Sequence, residues 1–144
     1  MEIGSGLVKG CLCGIFFLSG VCKLTPEWGT DVYAAMDEAF KDRYAPFWQQ
    51  VFFFSEMGVE LNATALKVMF GSTEVLCAIL LLSSYKFSAA IMLFGLMSGM
   101  LLTHLFLGEF AELPRSLVLS LASLGVGFIS YSPFDQRANP KQHK

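Results

Sequence analysis

Apolar and polar positions divide the chain into four long apolar stretches and one mixed stretch. The apolar stretches run over about 3–24, 66–85, 87–107 and 115–132. A helix that crosses a bilayer needs ~20 mainly apolar residues, so each stretch predicts one spanning helix. Lys86 and its neighbours give a tight turn between the second and third, and 108–114 a short turn between the third and fourth. The expected fold is an all-α membrane protein. It is a four-transmembrane-helix bundle over 1–132, with a short tail at 133–144.

The mixed stretch, 25–65, has its own periodicity. Tyr33, Met36, Phe40, Tyr44 and Phe47 recur at helical spacing, and Asp31, Glu38 and Asp42 fall on the opposite side. This pattern predicts an amphipathic helix in the long first loop. Trp48 continues the aromatic side into "FWQQVFFF", a cluster of the kind found at membrane interfaces. Thr25-Pro26 is a helix-entry signal, and Pro46 is expected to end or bend the helix. Such a stripe serves either as a lid over the bundle or as a docking surface for a partner. Asn62-Ala63-Thr64 matches a glycosylation sequon. Its closeness to the second span predicts that it stays unmodified.

Composition strengthens the membrane reading. Apolar residues make up 54% of the 144 and charged residues 15%, against roughly 25% charged in soluble domains. A net charge of -2 gives no electrostatic basis for binding nucleic acid. Cys11, Cys13, Cys22 and Cys77 all lie in apolar stretches, without CxxC or zinc-type spacing. They read as packing residues, with palmitate on Cys11 or Cys13 as the alternative. A cleaved signal peptide is disfavoured, because Lys9 sits inside the first stretch and no A-x-A site follows. An even number of spans puts both termini on one side. The bases near the short connections assign that side to the cytosol, which leaves 25–65 on the lumenal or outer side.

Small residues recur four apart: Gly6, Gly10 and Gly14 in the first span, Gly95 and Gly99 in the third, Ser116 and Ser120 in the fourth. Such spacing lets two helix backbones approach closely. The expected use is packing within the chain, and a homodimer or partner face is the alternative. In the second span, Gly71 shares a face with Lys67 and Glu74.

Glu74 is the candidate for chemistry. An ionised carboxylate well inside a bilayer costs roughly 2.5–3.5 kcal/mol on insertion scales, so it must be paired, protonated or wet. Lys23, Lys67, His104 and Arg115 all approach it from the loop side. The expectation is a polar cluster of Glu74, Lys23 and His104, with Arg115. It either pairs the helices or binds a partner helix or small ligand. No constellation of nucleophile and base is visible, and no metal-ligating set. Neither an enzyme nor a resident cofactor is expected.

Three runs, "GIFFLSGVCKLTP", "GSTEVLCAILLL" and "THLFLGEF", come in the order found in the DoxX-like small membrane proteins. The chain resembles that family over most of 1–132. Within the family it resembles the acetylcholine receptor chaperone (NACHO) branch. The matching features are G-x-F-F-x-x-G-x-x-K-L-T-P, G-x-x-E-V, and an H-x-x-x-G-acid ending of the third span. Gly20, Lys23, Leu24, Glu74, His104 and Gly108 are the positions that match. The resemblance implies a multi-pass protein of the endoplasmic reticulum membrane. It further implies one that helps subunits of nicotinic acetylcholine receptors, or of related channels, to assemble. The alternative it implies is a redox- or quinone-associated membrane subunit.

Overall fold

The computed structural model describes residues 2–131, and the tail expected at 133–144 lies outside them. Among the described residues every regular element is helical. Six α-helices follow in order: α1 (Glu2–Leu24), α2 (Thr30–Ala39), α3 (Ala45–Val51), α4 (Ala63–Leu80), α5 (Lys86–Leu107) and α6 (Leu113–Ser130). Four of them, α1, α4, α5 and α6, are long and apolar enough to cross a membrane. They pair two by two. α1 packs chiefly on α4, and α5 on α6, with lighter contact between the pairs.

Helix ends are set by local chemistry. Asn62 caps α4, its Oδ1 accepting from the N–H groups of Thr64 (2.9 Å) and Ala65 (3.2 Å). α4 therefore starts at Ala63, three residues earlier than expected, and it ends at Leu80, five earlier. The sequon asparagine is thus occupied as a helix cap. α5 ends in a Schellman turn. Gly108 takes the left-handed conformation at φ 72, and the N–H of Glu109 reaches back to the carbonyl of His104 at 2.9 Å. Pro114 sits in the first turn of α6, where its missing N–H costs nothing.

The loop segment folds over one end of the bundle. Pro46 neither ends nor breaks it. A π-turn over Phe40–Tyr44 joins α2 to α3, with the N–H of Ala45 donating to the carbonyl of Phe40, and Pro46 falls in the first turn of α3. The widened turn accommodates a residue that lacks a donor and would crowd an ordinary α-turn. α3 ends on a second Schellman turn whose left-handed position is occupied by Phe53 at φ 54, a conformation that costs a residue with a Cβ roughly 1–2 kcal/mol.

Two clusters make the interior. One joins Leu12 and Phe16 of α1 to Cys77, Ala78, Ala89, Ala90, Leu93, Met97 and Val126. The other joins Phe40, Tyr44 and Ala45 of the loop segment to Leu66 and Phe70 of α4. Outside these, large apolar side chains face outward, with Leu82 74%, Phe106 72% and Phe128 70% exposed. An apolar exterior of this extent suits contact with lipid or protein rather than water.

The glycines divide sharply. A Cβ on Gly20 would lie 2.6 Å from the carbonyl oxygen of Gly71 and 2.7 Å from Val75, so α1 and α4 touch there backbone to backbone. Gly99 makes room for the Trp48 ring, at 3.3 Å from a built Cβ. Gly6, Gly10, Gly14 and Gly95, expected at packing surfaces, face open space within the chain, with no atom within 4 Å of a built Cβ. Gly20→Ala is expected to lower thermal stability by roughly 1–3 kcal/mol through overpacking. Gly14→Ala, which meets nothing, should leave stability unchanged or raise it by up to about 1 kcal/mol. Thermal melts in detergent check the contrast, and equal losses would contradict the packing described.

Candidate functional site

The close approach of α1 and α4 positions the first ion pair. Lys23 lies one turn after Gly20 on α1, and Glu74 one turn after Gly71 on α4. With the two glycines in contact, the Lys23 ammonium meets both carboxylate oxygens of Glu74, at 2.7 and 2.6 Å. Its third hydrogen goes to Ser19 Oγ at 2.8 Å. All three donors of the ammonium are thereby satisfied. The pair is enclosed, with Glu74 2% and Lys23 6% exposed. A buried pair gains little over an apolar substitute, but losing one partner strands a charge.

His104 does not join that pair. Its Nδ1 lies 2.6 Å from Glu109 Oε2, and the other Glu109 oxygen accepts from Arg43 of the π-turn. The Schellman turn explains the geometry, because Gly108 folds the chain back so that Glu109 returns to the ring one turn before it. The His104 ring also meets the edge of Tyr44, with centroids 5.7 Å apart. Burial, and next the nearby Glu109 charge, push the Tyr44 hydroxyl above its ordinary range, so the phenol stays neutral. His104 Nε2 is buried and makes no hydrogen bond.

Lys67 belongs to a third group. Its Nζ donates to Asp37 Oδ1 at 2.7 Å and lies 3.7 Å from the centre of the Tyr33 ring. This arrangement ties α2 to the start of α4. Arg115 makes an exposed pair with Glu112 at 3.1 Å.

One cavity of about 140 Å³ draws several of these residues together. Lys23, Glu74, His104 and Arg115 all line it, and Lys67 does not. Met36, Phe40 and Tyr44 of the loop segment close it over, while Phe70, Met97 and Met100 supply apolar wall. The loop stripe accordingly turns inward. Phe40 and Tyr44 are buried, Phe47 packs on Phe106, and Trp48 stacks on Phe52 with ring centroids 5.0 Å apart. Tyr33, Met36, Phe47 and Trp48 are half-buried. The large apolar side chains left outside on this segment are Trp28, Val32, Val51, Phe52, Phe53, Met57 and Val59.

Sequence reasoning missed Glu109, Arg43, Asp37 and Ser19 as partners. The signal for Glu109 was present in H-x-x-x-G-acid, since a glycine four residues after a histidine predicts the turn that brings the next side chain back. The spacing of the loop named neither Asp37 nor Arg43 as a partner: Asp37 lies on α2, where Lys67 of α4 reaches it, and Arg43 lies in the π-turn, where it meets Glu109 beyond the end of α5. No group of three or more metal-ligating side chains occurs among the described residues. Compared with protein-family models and with curated proteins, the chain matches none.

Glu74→Leu is expected to destabilise by roughly 3–5 kcal/mol, and Lys23→Met similarly, because each strands a buried charge. The double variant Lys23→Met/Glu74→Leu should recover most of that loss. Stability of the three proteins by detergent melts closes the cycle, and additive losses would contradict a direct pair.

Asp37 is held below the ordinary carboxylate range, first by the hydrogen bond from Lys41 and then by that from Lys67. For a carboxyl lowered in this way, the stabilisation is fully present above about pH 4. It is lost as the pH falls through the depressed folded value. Amide exchange across α2, corrected for intrinsic rate, should therefore rise on strong acidification. In Asp37→Asn the same amides should exchange faster at neutral pH and respond little to acid.

Proposed function

We propose that the protein is a multi-pass membrane protein of the endoplasmic reticulum, with cytosolic termini. In this reading it is a non-enzymatic chaperone for the assembly of nicotinic acetylcholine receptor subunits or related channel subunits, and it takes its place in the acetylcholine receptor chaperone branch of the DoxX-like proteins. The observation that carries the reading is convergence. Gly20, Lys23, Glu74, His104 and Gly108, which carry the resemblance and lie far apart in sequence, act at one end of one bundle. Gly20 and Gly71 bring Lys23 to Glu74, and Gly108 returns Glu109 to His104. Residues shared for those reasons preserve a specific architecture rather than general apolarity.

A client surface is available on the outside of α1. Gly6, Gly10 and Gly14 are exposed one turn apart with nothing packed on them, and Leu7, Ile15 and Leu18 flank them. A smooth groove of this kind admits the backbone of another membrane helix, where van der Waals contact supplies the attraction. An unassembled channel subunit presents helices that lack their neighbours, and it would be held there until displaced.

Co-expression tests the reading. Surface pentamers of a nicotinic receptor should rise several-fold when this protein is supplied with the receptor subunits. Gly10→Leu, at a position where an added Cβ meets no atom within 4 Å, should abolish the rise while leaving the thermal melt unchanged. Equal pentamer yield with and without the wild-type protein would overturn the proposal.

A further inference from the structure

Among the residues that line the cavity beneath the loop segment, His104 carries a buried polar atom without a partner. His104 is 1% exposed, its Nδ1 is held by Glu109, and its Nε2 bonds to nothing. Leaving a buried nitrogen unpaired costs about 1–3 kcal/mol. His104 lines the cavity, and with Nδ1 engaged Nε2 is the ring nitrogen left for a ligand.

The charge around the ring fixes what Nε2 offers. The Glu109 carboxylate can only accept, so a neutral imidazole places its hydrogen on Nδ1. Glu109 then accepts the Nδ1–H, and Nε2 carries a lone pair. A ligand must donate to it. Lys23 and Arg115 outnumber Glu74 among the charged residues of the lining, which disfavours a cation as the donor. The ammonium of Lys23 has no hydrogen left to give. Phe40, Phe70, Met97 and Met100 supply an apolar wall beside the polar residues of the lining, a mixed surface that suits an amphipathic molecule. The volume of about 140 Å³ is close to that of an apolar cavity known to take up benzene, ~150 Å³.

We infer that this cavity binds a small neutral molecule that donates one hydrogen bond, from a hydroxyl or amide, to His104 Nε2 and rests its apolar body against Met97, Met100, Phe40 and Phe70. The molecule is either a free solute or the hydroxyl-bearing head of a lipid, since the lining runs outward to Ile15 and Arg115, both exposed. This assignment stands apart from the client reading and does not depend on it.

The test uses the full chain in lipid nanodiscs, labelled with 15N-histidine. The sequence has two histidines, His104 and His143, so His143→Gln leaves His104 as the single signal. Phenol supplies the ring and the donor, and anisole supplies the ring with the donor removed. Phenol should move the Nε2 resonance saturably and anisole should not. Nanodiscs with and without dioleoylglycerol separate the two sources. A response to phenol alone identifies a free solute, and a response to dioleoylglycerol, with or without phenol, identifies a lipid head. In Met100→Trp, which narrows the space, saturation should need a several-fold higher phenol concentration while the unliganded resonance keeps its position. No saturable shift with either donor, or an equal shift with anisole, would overturn the assignment.

Discussion

The junction of α1 and α4 at the lidded end of this bundle depends on the contact between Gly20 and Gly71. A side chain on either residue would hold α1 and α4 apart, and an ammonium on one helix could not then reach both oxygens of a carboxylate on the other. The same four-residue grammar, a glycine followed one turn later by a charge, appears on both helices. The glycines set the distance, and Lys23 and Glu74 fix the register along and around the helix axes. Burial makes the arrangement specific rather than strongly stabilising. A sliding or rotated pairing would leave two charges enclosed without partners, and such states are excluded by their desolvation cost.

A second constraint works at the other helix pair by different means. Gly108 closes α5 with a reversed turn, and that reversal puts Glu109 between the imidazole of His104 and the guanidinium of Arg43. Arg43 comes from the π-turn, so the end of α5 and the overlying segment are fastened through a single carboxylate. Lys67 and Asp37 make the corresponding tie to α4. The covering segment is therefore held by charge pairs at two corners and by aromatic packing between them.

Much of this was legible in the residues. Four apolar stretches separated by turn-forming residues can only be long helices, and an acid within one of them demands a base. The helical spacing of the loop's aromatic positions was legible too, though the same pattern suits a lid and a docking surface. Partner choice was not. Periodicity along the loop singles out neither Asp37 nor Arg43, because it does not report which acids and bases of other helices lie across from them. His104 was assigned to Glu74 by nearness along the bundle, whereas a local turn supplies it with a carboxylate from its own helix end. Gly6, Gly10 and Gly14 look like packing glycines in sequence, because spacing reports which residues share a face and not what lies opposite.

The pairing of helices two by two has one consequence of its own. α1 with α4 and α5 with α6 form two halves, and the space beside Lys23, Glu74 and His104 lies along the seam where they meet. All four long helices and the covering segment contribute a wall to it. Whatever enters that seam presses on both halves together, so its presence would be transmitted to the far faces of the molecule without any residue having to refold.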